Sequence, residues 1–133
     1  MMAKEAGVFS FSAEEAAEEI LKYRQDGWRI FELPKGISSR GAFFEGVRST
    51  LPLDPPLLGN QNWDALADSL WSGLDALTDD MILIVWPDSS DMTKNASDDA
   101  EIAINILSEL PTSLGNDDIT AGNTKKVAII RLI

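Results

Sequence analysis

Apolar residues recur at helical spacing in four segments of the chain. The first spans residues 12–26, where Ser12 and Glu15 have the spacing of a capping box and Gly27 is suited to a left-handed C-terminal cap. Further helices are predicted over residues 40–50, 62–77 and 98–110. Pro111 follows the last of these and is expected to end it, because proline cannot continue the backbone hydrogen bonding.

Three short apolar runs lie between or after these helices, at residues 28–33, 81–86 and 127–132. They show no clean alternation, which is typical of strands buried on both faces of a parallel sheet. The order of elements predicts a single small α/β domain over residues 1–133, with a three-stranded parallel sheet and about four helices, the one at 12–26 being an extra N-terminal helix. Residues 1–11 are assigned to a lead-in of undefined structure, and the segments 88–97 and 112–124 to polar loops.

The connection before the third helix has an unusual density of prolines. Pro52, Pro55 and Pro56 forbid a continuous helix between residues 51 and 60. We expect a rigid, partly extended segment that places the next helix accurately.

The helix predicted at 62–77 carries acids on the face opposite its apolar stripe. Asp64, Asp68 and Asp75 share that face by spacing, and Trp71 lies between them. Like charges one turn apart destabilise a helix slightly, and the segment contains no lysine or arginine to offset them. Acids accumulate by chance in an acidic chain, and Asp64 also suits the helix dipole. An exposed tryptophan among acids nevertheless indicates a contact surface.

Composition and charge narrow the possible functions. The 133 residues include 22 Asp and Glu against 11 Lys and Arg, giving a net charge of −11. Such an acidic protein is not expected to bind nucleic acid or an anionic membrane directly, and basic proteins are its natural partners. The absence of His and Cys excludes His-dependent triads, thiol nucleophiles, disulfides and His or Cys metal sites. No cofactor or metal is expected, and with no signal or membrane-spanning segment recognised, a cytoplasmic location is expected.

The segment GNQNWDALADSL, residues 59–70, resembles the signature of the barstar family, the intracellular protein inhibitors of secreted ribonucleases. The positions that match in register are Asn62, Trp63, Asp64, Ala65, Leu66, Asp68 and Leu70. The order of the surrounding elements agrees over residues 28–133, and the helix at 12–26 is similar to the N-terminal extension of longer members.

The resemblance implies an inhibitor, or immunity protein, that blocks the active site of a basic ribonuclease or nuclease toxin. In that case Asp68 takes the place of an RNA phosphate, and Asp64 pairs with neighbouring basic groups. Glu109 falls where the family carries a further interface acid, although an ordinary solvated glutamate explains it equally well. The negative charge would steer the two proteins together.

The loop before the motif departs from the family pattern. Members carry an aromatic residue and then glycine, whereas this chain has Leu58, Gly59, Asn60 and Gln61. Either Asn60 takes the place of the glycine, being able to adopt the left-handed conformation, or Gly59 is the family glycine and Gln61 is inserted. All four residues are candidate contacts, with Leu58 as the apolar one, and Trp71 is a candidate replacement for the missing aromatic.

One other function stays open, and an enzyme is not expected. A non-inhibitory interaction module of the same fold would use the acidic helix to bind another basic protein. An enzyme using carboxylates with Mg²⁺ would need the acids Asp88, Asp91, Asp98 and Asp99. Their spacing matches no known cation loop and is more typical of a turn and a helix cap.

Overall fold

The computed structural model describes residues 5–133, which form one parallel sheet flanked by helices on both faces. The strands are β1 (Gly7–Phe11), β2 (Arg29–Glu32), β3 (Met81–Trp86) and β4 (Lys126–Leu132), in the spatial order β1-β4-β3-β2. The helices are α1 (Ala13–Gln25), α2 (Arg40–Thr50), α3 (Trp63–Asp75), α4 (Ser89–Asn95), α5 (Ser97–Leu114) and α6 (Asp117–Thr120). The predicted α/β class and parallel sheet are confirmed.

The prediction of three strands is wrong, because residues 7–11 form a fourth strand. β1 pairs in parallel with β4, with Val8 opposite Ile129. The partner lies more than a hundred residues away, and the strand has only five residues at an edge of the sheet. Such a short segment gives little local signal, so it was assigned to the lead-in. Residues 1–4 of that lead-in lie outside the described residues.

The described residues contain six helices rather than four. The segment assigned to a polar loop at 88–97 forms α4, because Met92 is buried and the Ser89 hydroxyl donates to the Leu132 carbonyl oxygen over 3.1 Å. α5 continues through Pro111 to Leu114, which is fully buried. Packing of that last turn outweighs the backbone hydrogen bond that proline cannot make. The short α6 lies in the second predicted loop.

Two hydrophobic cores lie on opposite faces of the sheet, since successive strand residues point to opposite sides. The larger core is shared with α2, α3 and α5 and takes from the sheet Ile82, Ile84, Trp86, Val127 and Ile129. The smaller core is shared with α1 and takes from the sheet Leu83, Val85, Ala128 and Ile130. The candidate contact helix α3 and the N-terminal helix α1 therefore lie on different sides of the molecule.

Helix α1 has the predicted ends. The Ser12 hydroxyl accepts from the Glu15 backbone N–H over 3.3 Å, and the Glu15 carboxylate accepts in return from the Ser12 N–H over 3.4 Å. Gly27, at φ +84°, is in the left-handed region that glycine favours. The chain then turns into β2, and Trp28 packs edge-on against Tyr23 with ring centroids 4.8 Å apart. Trp28 is thus a core residue.

The turn that follows helix α3 is held by a lysine from another part of the chain. Lys125 is almost fully buried, and its ammonium donates to the carbonyl oxygens of Leu77 at 2.6 Å and Asp79 at 2.9 Å. A cation near the C-terminal end of a helix is favourable because the helix dipole is negative there. This contact fixes where α3 ends relative to β4.

Candidate protein-binding site

Helix α3 begins where a side chain replaces the missing backbone acceptor. The Asn62 side-chain oxygen accepts from the Ala65 N–H over 3.0 Å, which makes Asn62 the N-cap of the helix. Leu66, Leu70 and Leu74 are fully buried against the sheet. Because that stripe faces inward, the opposite side of the helix faces solvent and presents its acids there.

The carboxylates of Asp64 and Asp68 are exposed one turn apart on this outer side. Glu109 is exposed on α5. Within residues 5–133, none of these three carboxylates forms an ion pair or a side-chain hydrogen bond. Asp75 differs from the prediction by spacing, because it is half-buried, and its Oδ1 atom is inaccessible with no hydrogen-bond partner among the described residues.

A shallow groove of about 210 Å³ runs between α3 and α5 and brings three of the predicted residues together, namely Asp68, Trp71 and Glu109. Asp68 borders it from α3 and Glu109 borders it from α5. The lining also includes Ala67, Trp71, Ile106, Leu110 and Ser113. Two carboxylates on the edges of a partly apolar groove form a site suited to a cationic side chain.

Trp71 is less exposed than the sequence predicted. It is half-buried against the larger core, and its indole N–H donates to the Ser113 hydroxyl over 3.1 Å. The prediction of an exposed tryptophan is wrong because α5 covers part of the ring, which the sequence of α3 could not reveal. Trp63 is also half-buried, with its ring centroid 4.9 Å from that of Phe44, whereas Trp86 is fully buried.

The proline-containing loop packs closely against α3. The Asp54 N–H donates to the Ser69 carbonyl oxygen over 3.0 Å. Gly73 approaches the loop so closely that a Cβ atom there would lie 2.2 Å from the Pro52 carbonyl oxygen. The expected rigid connection is therefore supported by direct contacts with the helix.

The tip of this loop is strongly exposed. Leu58 is 93% exposed, Gly59 and Gln61 are exposed, and Asn60 is half-buried. The left-handed conformation considered for Asn60 does not occur, and Gly59 does not adopt it either. Instead, the Asn60 side chain accepts a hydrogen bond of 2.5 Å from Arg48 of α2, so a side-chain contact supports the loop.

Several residues of the site escaped the sequence analysis. Arg48 contacts the loop from α2, and Ile106 and Ser113 line the groove from α5. Their sequence neighbourhoods contain no motif, and only tertiary packing brings Arg48 to the loop and the two α5 residues to α3. A basic residue just before a proline-rich segment was the one available signal, for Arg48.

The second group of acids shows no sign of a cation site. The Asp88 carboxylate accepts from the Gly36 N–H over 2.5 Å, which ties the end of β3 to the loop after β2. In the part of the chain that the structure describes, no cluster of three or more Asp and Glu residues is arranged to hold a metal ion.

Comparison with protein-family models identifies the fold. Residues 28–123 match the model described as Barstar (barnase inhibitor), which is well over half of the chain. The chain belongs to the barstar family. The match begins after α1, ends before β4, and includes α3, the preceding loop and the groove. No curated protein matches the chain.

Membership of the barstar family confirms the resemblance found in the motif. The family description names an inhibitor of barnase, so the protein is barnase-inhibitor-like, and a ribonuclease is the partner that the family description names. That the family core extends over residues 28–133, with 12–26 as an extension, stays a prediction. None of the helices within residues 5–133 is both long and apolar enough to cross a membrane.

Proposed function

We propose that this protein inhibits a basic ribonuclease or nuclease toxin by inserting the acidic side of α3 into the enzyme's active site. The observation that carries the proposal is the set of unpaired carboxylates on one packed surface. Asp68 and Glu109 border the same groove, and Asp64 lies one turn away from Asp68. No cofactor takes part.

The chemistry of the partner explains why carboxylates are needed. A ribonuclease must hold RNA phosphates, so its active site presents cationic side chains. Asp68 occupies the phosphate position, where an ionised oxygen accepts strong hydrogen bonds from guanidinium or ammonium groups. Asp64 pairs with neighbouring cations. Because these carboxylates have no ion-pair partners within residues 5–133, binding breaks no ion pair of the described structure.

The net charge of −11 has a separate role. It attracts a basic partner from a distance and raises the association rate, an effect that salt screens. In this proposal the protein acts in the cytoplasm as an immunity protein, where it neutralises the nuclease before RNA is cut.

Titration against a panel of small basic microbial ribonucleases, barnase among them, tests the proposal. Calorimetry measures the stoichiometry and affinity, and RNA cleavage measures inhibition. We expect one-to-one binding that inhibits cleavage. Asp68→Ala is expected to weaken binding by about 2 kcal/mol or more, while the free energy of unfolding stays unchanged, because the side chain is exposed and unpaired.

Glu18→Ala is the matched control. It removes the same charge from an exposed position on α1, which packs on the other face of the sheet. Equal weakening by both variants would mean that total charge, rather than the acidic side of α3, determines binding. Unfolding of the Asp68→Ala variant would show that this acid is structural, and the interface assignment would be lost.

A second candidate function is supported by Leu58. This residue replaces the family aromatic and is 93% exposed, so the loop offers a different contact from that of a typical member. A non-inhibitory module that binds another basic protein would use the same surface. It would give binding that depends on Asp68 but leaves RNA cleavage unaffected.

A further inference from the structure

The exposed loop tip is held by a single arginine. Nη1 of Arg48 donates to the carbonyl oxygens of Leu57 at 3.3 Å and Gly59 at 3.1 Å, and Nη2 donates to the Asn60 side-chain oxygen at 2.5 Å. The two carbonyl groups lie on either side of Leu58. The peptide group just before this leucine and the one just after Gly59 are therefore held from α2, while the leucine side chain remains in solvent.

No backbone N–H from residue 57 to residue 61 donates to another backbone group of the described chain. The loop tip thus lacks the hydrogen bonding that would order a turn or strand. The fork of the guanidinium supplies order instead, because its donors lie in one rigid plane. Without Arg48, this part of the loop would lose its hydrogen bonds to α2.

Arg48 carries a positive charge beside the loop that precedes the acidic helix, and this position needs an explanation. A cation beside a surface that meets a basic partner repels that partner. Arg48 is half-buried, and its guanidinium donates to three acceptors within the protein. Its contribution to binding would therefore come from fixing the loop and would have to exceed this repulsion.

We propose that Arg48 is a positioning residue for partner binding: it fixes the loop so that Leu58 is presented as an apolar anchor. The partner that fits this surface has an apolar pocket for Leu58 beside its basic cleft. This inference rests on the proposed function. Fixing a loop before binding raises affinity, because the entropy of ordering is not lost when the complex forms.

The first experiment needs no partner. NMR relaxation of the free protein measures backbone order parameters of residues 57–61 in Arg48→Met and Arg48→Lys. Lysine keeps the charge but lacks the planar fork. We expect values near 0.85 in the unaltered protein and below about 0.6 in both variants. Arg40→Met, which removes the same charge from the start of α2, is the control and should change nothing. Unchanged order in Arg48→Met would overturn the proposal.

The second experiment measures association and dissociation rates with the ribonuclease panel. Arg48→Met should dissociate roughly tenfold faster or more, without slower association, since the partner is basic. Removal of a repelling charge alone would instead tighten the complex, and that result would overturn the proposal. Urea unfolding of each variant verifies that the folded fraction is unchanged under the assay conditions.

A double-mutant cycle separates the loop from the acidic helix. If Arg48 acts through Leu58, Arg48→Met should have little further effect in a Leu58→Ala background, and the two changes should be non-additive. Arg48→Met and Asp68→Ala should combine additively. Additive effects of Arg48→Met and Leu58→Ala would refute the positioning role. Unchanged binding by Asp68→Ala would instead refute the proposed function, whatever the Arg48 variants show.

Discussion

The contact between Gly73 and the proline-containing loop allows a sharp test of how α3 is positioned. Gly73 is buried within the helix, and a Cβ atom added there would lie 2.2 Å from the Pro52 carbonyl oxygen and 3.0 Å from the Leu53 nitrogen. Both neighbours are backbone atoms, so no side chain can rotate away. Gly73→Ala must separate the helix from the loop by most of an ångström.

Two opposing effects determine the result. Alanine is better than glycine within a helix by about 1 kcal/mol. Forcing extra volume into a packed contact costs about 1–3 kcal/mol, and a backbone obstacle places this contact at the upper end. We therefore expect Gly73→Ala to lower the free energy of unfolding by about 2 kcal/mol. The methyl group added in Gly41→Ala meets nothing within 4 Å, so this variant should raise the free energy of unfolding by about 0.5–1 kcal/mol.

Urea unfolding of both variants, monitored by tryptophan fluorescence and circular dichroism, measures the two changes. The comparison isolates the close approach, because both substitutions are the same and both lie in helices. If Gly73→Ala stabilised the protein as Gly41→Ala does, the described packing of α3 on the loop would be refuted.

Two further predictions concern the interior. Lys125→Met should lower the free energy of unfolding by about 1–3 kcal/mol, because two carbonyl groups in the turn after α3 lose their donor; unchanged stability in urea would contradict that role. Burial raises the pKa of Tyr23 from 10.0 to about 12, so the folded state favours the neutral phenol. This stabilisation, roughly 2–3 kcal/mol, is complete below pH 10 and is lost as the pH rises through 12. In Tyr23→Phe the urea midpoint of unfolding should decline less between pH 9 and 12 than in the unaltered protein. An equally steep decline would refute the assignment of this pH dependence to Tyr23.

Local sequence signals predicted the helices whose first residues have side chains that cap the helix. Asn62 marked the start of α3, and the box of Ser12 and Glu15 marked the start of α1. Strand β1 and helix α4 escaped because their order comes from distant contacts: β1 pairs with β4, and Ser89 of α4 bonds to the end of the same strand. The prediction that the helix ends at Pro111 is wrong for the same reason, because burial of Leu114 keeps the helix intact beyond the proline.

In the candidate site, too, helical spacing predicted some features, whereas others depend on contacts between distant parts of the chain. Spacing predicted that Asp64 and Asp68 share one exposed side of α3, and both are exposed there. The partial burial of Trp71 and Asp75 depends on neighbouring parts of the fold, which helical spacing does not describe. The support of Leu58 by Arg48 joins residues nine to twelve positions apart across a turn with three prolines, a path that sequence rules leave undetermined.

The position of β4 in the sheet has a consequence for synthesis. β4 is the last of these elements to leave the ribosome, yet it lies between β1 and β3 and contributes Val127 and Ile129 to the core beneath α3. Until it emerges, β1 has no strand to pair with, and α3 lacks part of the surface on which it packs. We therefore expect α3 and its acidic side to become fully ordered only once β4 has left the ribosome and joined the sheet.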